Sequence, residues 1–357
     1  TGYIKNVKIS NGSGVTRKSI LVGDEESVST TNIQHSITYA SNVDLLTEQV
    51  TSPASSSLYI TGIAEHPNKS VYAIHRASYY TSPNYIFKQN DGTGVFNKIF
   101  EITQRPFSSI AISQFTGNIY VSSLSSTPDK CGIYFALSDT VSFNLIASTV
   151  TMKVSGLSVS PVTGHIYAVV QGGQLYKSTV DSSSASFTTI VDSSLPALNW
   201  SKLAIDLDDN IYLIEDSSTG SVYKSTNGTE AFTKISGLPL GYWKDVCVSS
   251  NGDVYLSRSD QNNEANRALY IKRRGDSSFT FSNLNNLGLN ESVDWNTLYI
   301  TRDWNLYTAP STGTIKKGKL TGLECSLESF TKYPPDQTSS FLVLPEGKVK
   351  SDFSDLR

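Results

Sequence analysis

Cysteine is scarce. The three in this chain, Cys131, Cys247 and Cys325, are odd in number and far apart, and no Cys-x-x-Cys or Cys/His spacing joins them. That pattern argues against a zinc site and against a disulfide-stapled scaffold, and leaves free thiols as the expectation. Charge is scarce too, at 17% of residues with a net charge of -3. Phosphate recognition needs a basic patch, so nucleic acid is not an expected partner. The densest basic run, "KRR" at 272–274, reads as a solvated strand edge. No apolar run approaches the roughly 18 residues that would span a bilayer. No signal peptide is read, and Thr1 fits either loss of an initiator Met or an earlier processing cut. No stretch keeps a helical period over three turns, so few helices are expected.

Ser, Thr, Asn and Gly fill the deficit, with 19 Tyr. This mixture suits many short strands joined by polar turns. The five Asn-x-Ser/Thr sequons, at Asn11, Asn68, Asn199, Asn227 and Asn290, are about what so much Ser and Thr produces by chance.

The stretch "WSKLAIDLDDNIYLI" at 200–214 recurs along the chain. Its counterparts are "ITGIAEHPNKSVYAIHR" from Ile60, "FSSIAISQFTGNIYVSS" from Phe107, "VSGLSVSPVTGHIYAVV" from Val154, "WKDVCVSSNGDVYLSRS" from Trp243 and "WNTLYITRDWNLYTAP" from Trp295. The starts are spaced by 47, 47, 46, 43 and 52 residues, and a Tyr recurs at 72, 120, 167, 212, 255 and 307. Each unit reads as two alternating strands around a tight turn, followed by a third strand such as "GQLYKST" and a fourth such as "FTTIVDS". Four strands per roughly 47 residues is a β-propeller blade.

The turns between third and fourth strands resemble the Asp-box of sialidase-like propellers. "QNDGTGVF" puts Asp91 and Phe96 in frame, and "STNGTEAF" puts Ser225, Asn227 and Phe232 in frame. "SDTVSF", "STVDSSSASF" and "RGDSSFTF" match more loosely. The resemblance implies a structural turn on the outer part of each blade and assigns no chemistry.

A further unit, "TSSFLVLPEGKVKS" from Thr338, starts 43 residues after Trp295. The expected architecture is therefore an all-β, seven-bladed propeller of four-stranded blades over 34–357. Blades start near 57, 105, 152, 198, 241 and 293. A shared blade from 34–56 and 338–357 would close the ring with strands from both termini and remove open edges. Residues 1–33 are then an extension, either an attachment arm or extra strands.

Few residues invite chemistry. Asp206, Asp208 and Asp209 partly meet the alternate spacing of a calcium loop, but they fall on the hairpin turn and read as turn residues, so no metal is expected. A sialidase-like glycoside hydrolase would need an arginine cluster and set carboxylates. Arg105 in "QRPF" does not match that family's Arg-Ile-Pro stretch, and nothing sets Glu65, Glu215 and Asp216 into a constellation. No Gly-x-Ser-x-Gly, phosphate loop or partnered histidine occurs, and no cofactor is expected.

Three of the four tryptophans, Trp200, Trp243 and Trp295, open consecutive repeats, at the position that Phe107 holds in the second repeat. They would lie where propellers bind ligands and could stack on a sugar; the alternative is that they wedge between blades as core. Tyr79, Tyr80 and Tyr85, and the insert at 259–268, lie in second-to-third strand loops on the same expected face and suit polar recognition or plain solvation. The reading is a non-enzymatic module binding a glycan or protein receptor. Its composition resembles phage tail or virion surface proteins, which places it on a virion or extracellular surface, with residues 1–33 free to engage other subunits. A sialidase-like hydrolase and a structural scaffold are the alternatives.

Overall fold

The computed structural model describes residues 59–327 except 78–81, 90–95, 126–129, 139, 141, 191–194, 197, 227, 229–230, 260–266, 283–293 and 311–314; nearer the N-terminus it describes strands 3–10, 16–23, 35–45 and 48–49. Two compact units emerge, one of residues 1–44 with 321–357 and one of residues 45–320. In the first, Tyr3–Ser10 and Thr16–Gly23 form an antiparallel hairpin, Tyr3 opposite Gly23 and Ser10 opposite Thr16.

The second unit is a β-propeller of four-stranded blades. Its inner strands are Ile60–Glu65, Phe107–Ile112, Val154–Val159, Trp200–Ile205, Trp243–Val248 and Trp295–Ile300. In the first five blades the strands follow outward in chain order. In the sixth, Lys316 and Lys317 pair with Gln49 and Glu48, so that sheet takes a strand from the chain before the first blade.

Six blades stand among the described residues, against the seven expected. The sixth packs directly on the first. Asn296 Nδ2 donates to the Ile60 carbonyl at 3.3 Å, Tyr307 hydroxyl donates to Gln89 Oε1 at 2.8 Å, and Arg302 meets Glu65 at 3.3 Å. Nothing is left between them for a seventh blade. Residues 338–357, assigned to it, lie outside the described residues.

Both faces of an inner strand must be apolar because each blade is covered on two sides. One buried cluster lies at each of five junctions. Ile60, Phe87 and Phe96 pack with Tyr307 and Ala309 at the seam, and Tyr212, Ile214 and Trp243 pack between the fourth and fifth blades. The recurring tyrosines are all buried, and most of their hydroxyls meet polar partners: Tyr120 donates to Asp181 at 2.7 Å and Tyr212 to Asp206 at 3.2 Å, while Tyr255 accepts from Arg273 at 2.9 Å; the Tyr167 hydroxyl has no hydrogen-bond partner among the described residues. A buried tyrosine in each repeat, its polar tip satisfied in most of them, is the physical content of the repeat. Cys131 and Cys247 are buried thiols, and burial pushes the Cys247 thiol well above its usual range.

The hairpin turns share one conformational demand. A left-handed residue recurs at Lys69, Gly117, Gly164, Asp209, Gly252 and Trp304, with φ from 58° to 88°. Glycine meets it without strain in three turns, and Asp209 meets it in "DLDD". The acids there are internally satisfied. Asp206 accepts from the Asp208 and Asn210 amides at 2.9 Å each, Asp208 pairs with Arg274 at 2.6 Å, and Asp209 accepts from Ser160 at 2.7 Å. Among the described residues no group of three metal-ligating side chains occurs. Of the Asp-box positions, Asp91 and Asn227 lie outside the described residues. Asp181, in one of the looser matches, accepts from Ser113, Thr116, Asn118 and Tyr120 at 2.6–3.1 Å and so ties the third blade to the second.

Candidate functional site

Each inner strand carries one extra residue just after its first. The pairing with the second strand skips Thr61, Ser108, Ser155, Ser201, Lys244 and Asn296, one per blade. Such a bulge breaks the alternation of faces and re-aims a side chain. All six line one cavity of about 260 Å³ at the end of the ring where the inner strands begin. Arg76, Gln171 and Asp216, which follow second strands, add to its wall, as do Tyr59, Asn199, Trp200 and Lys202.

Three of the six also stitch the ring through backbone carbonyls. Thr61 Oγ1 donates to the Phe107 carbonyl at 3.1 Å and Ser108 Oγ to the Val154 carbonyl at 2.7 Å, the same step from one blade to the next that Asn296 makes onto Ile60. Lys202 crosses the channel, its Nζ donating to the carbonyls of Thr61 and Ser108 on the first and second blades. Burial lowers the Lys202 pKa; the Asp245 charge opposes that shift and Arg76 adds to it. Asp245 accepts from the Val246 and Leu298 amides and from Thr297 Oγ1 at 2.8–2.9 Å, and burial raises its pKa against those bonds and against Lys202. Nearer the mouth, Lys244 pairs with Asp216 at 3.0 Å.

His75, beside Arg76, stacks on Tyr85 with ring centroids 5.3 Å apart, and burial alone lowers its pKa to about 4. The folded chain holds this imidazole neutral while the unfolded chain takes up a proton below pH about 6.5. Stability should therefore fall as pH drops from about 6.5 to about 4, by ~3 kcal/mol for this group. Urea denaturation of wild type and His75→Phe across that range checks it: the variant should lose that part of the pH dependence, and identical curves would remove His75 as its source.

Of the aromatic candidates, Trp200 touches the cavity wall, and Trp243, Trp295, Phe107 and Tyr85 are not among its lining residues. Trp200 is 1% exposed, Trp243 0%, Trp295 6% and Phe107 1%. Trp200 meets Tyr223 edge-on at 5.3 Å between centroids and Trp243 meets Tyr270 at 5.4 Å. These rings fill blade junctions, and their faces are not presented to a sugar. Tyr85 lies under Lys98 Nζ at 5.1 Å, and Tyr79 and Tyr80 lie outside the described residues. At Phe107, Trp243 and Trp295 sequence reasoning stopped one residue short of the wall. The available signal was a polar residue, Thr, Ser, Ser, Ser, Lys and Asn in turn, directly after each repeat's large apolar opener.

No family model matches the chain, and no curated protein sequence does. Similar solved structures exist. A Bacteroides thetaiotaomicron protein of unknown function aligns at TM-score 0.59 and 12% identity, covering 88% of this chain and 87% of its own. A gluconolactonase from Xanthomonas campestris aligns at TM-score 0.57 and 10% identity, covering 84% and 97%. Virginiamycin B lyase from Staphylococcus aureus, solved as an inactive variant with quinupristin, aligns at 0.53 and 11%, covering 78% and 100%. Identities this low carry the propeller fold and nothing about activity.

Proposed function

We propose that this chain is a non-enzymatic binding propeller whose ligand, a glycan or a protein segment, enters the central cavity at the rim where the inner strands start. The observation that carries this reading is the bulge. Six blades each deliver one polar side chain into a single cavity of about 260 Å³. A concave site with convergent polar groups is where ligands bind. The acids support binding over glycoside hydrolysis, which needs two facing carboxylates. Asp216 lines the cavity but is paired with Lys244; Glu215 is buried and accepts from Ser217; Glu65 lies at the other end of its strand with Arg302. The virion setting rests on composition alone.

A scaffold role is the second reading. It is favoured by Phe115, Leu137, Val162 and Val180, which are exposed on turns at the end of the ring away from the cavity. Exposed apolar side chains grouped on one face mark protein contacts.

Blocking the cavity tests the first reading. Ser201→Phe should abolish the glycan-array signal of the wild-type chain while its circular dichroism stays unchanged. Undiminished binding by a folded variant would place the ligand elsewhere, and cleavage of fluorogenic glycosides by wild type would overturn the non-enzymatic assignment.

A further inference from the structure

The charges around the cavity can be cancelled pair by pair. Lys244 and Asp216 form an ion pair at 3.0 Å. Lys202 and Asp245 interact electrostatically, and together they contribute no net charge whether the proton sits on one or the other. Arg76 is left over. Arg76 lines the cavity, and its guanidinium makes no hydrogen bond or ion pair with a side chain among the described residues. A planar fork of donors carrying one uncompensated charge matches a carboxylate better than a phosphate dianion.

The rest of the wall sets a second requirement. The hydroxyls of Thr61, Ser108, Ser155 and Ser201 each donate to a backbone carbonyl. With their protons engaged, these oxygens have only lone pairs to offer, so a ligand must bring donors of its own. A polyol supplies them, and Gln171 and Asn199 add amides that can serve as either partner.

We infer that the cavity takes a sugar acid, a singly charged and hydroxyl-rich carboxylate held by Arg76, either free or at the end of a glycan. This rests on the cavity being the binding site. Titration calorimetry with D-glucuronate, D-glucose, glucose 6-phosphate, a uronate-capped oligosaccharide and a short peptide with a free C-terminal carboxylate tests it. Glucuronate, the capped oligosaccharide or both should bind at least about tenfold more tightly than glucose, since a charge-assisted pair is worth that much. A stronger response from one of the two identifies the source as free acid or glycan end. Arg76→Gln should erase the preference, and Arg76→Lys, which keeps the charge without the fork, should retain part of it. Both variants are first checked for folding by circular dichroism.

Glucose binding as tightly as both glucuronate and the capped oligosaccharide would overturn the inference and leave the cavity reading standing. So would a preference for glucose 6-phosphate, a preference for a peptide C-terminal carboxylate, or an unchanged preference in folded Arg76→Gln. If no sugar, glycan or peptide binds at all, the cavity reading itself fails.

Discussion

Asp245→Ala is expected to destabilise the ring by about 3–5 kcal/mol in urea denaturation, the usual cost of removing one partner from a buried charge pair. Three donors lose their acceptor at once: the Val246 amide, the Leu298 amide and the Thr297 hydroxyl. Two of them belong to the sixth blade, so the loss falls on a blade junction. Lys202, still donating to the Thr61 and Ser108 carbonyls, also loses its opposing charge. Asp245→Asn keeps an acceptor and should cost less. The double variant Lys202→Met with Asp245→Leu should recover most of the stability, because well-packed apolar pairs can replace buried ionic ones. A loss below about 1 kcal/mol for Asp245→Ala would show that the pair does not hold the channel together.

Trp243→Ala is expected to cost a similar ~3–5 kcal/mol, as large-to-small changes in a packed core do. Its ring is 0% exposed and packs against Tyr270 between the fourth and fifth blades. Trp243→Phe should cost far less. The buried indole N–H of Trp243 has no acceptor among the described residues, so phenylalanine removes an unmet donor along with the lost volume. Ligand affinity per folded molecule should be unchanged in both variants. A folded Trp243→Phe variant that lost ligand binding would return the tryptophan to the binding surface.

Much of the ring was legible because its signals are local. Alternation gave the strands, the recurring Tyr set the period, and Gly117, Gly164 and Gly252 marked turns that demand a left-handed residue. Asp209 and Trp304 meet the same demand without glycine, and only the repeat alignment reveals them as turn residues. The blade count was not legible, because nothing in "TSSFLVLPEGKVKS" states whether a gap exists for it to fill. That depends on where the sixth blade meets the first, through Asn296 and Ile60, 236 residues apart in sequence. The cavity wall was hidden for a different reason. Strict alternation places the residue after Trp200 on the opposite face, and a bulge is a property of two strands together, invisible in either one. Lys202 was missed likewise, since its partners Thr61 and Ser108 lie on blades across the channel.

The bulge separates two jobs that an ordinary strand would fuse. The opener of each blade, from Ile60 to Trp295, is buried at the junction, with Trp200 alone of the six also touching the cavity, while the residue after it faces the channel. Selection can therefore edit the six channel positions as a short alphabet without rewriting the joints of the ring. Ser155 and Ser201, whose hydroxyls bond within their own blades, are the letters most easily changed. A library randomised at these two positions would keep one scaffold while sampling many binding surfaces.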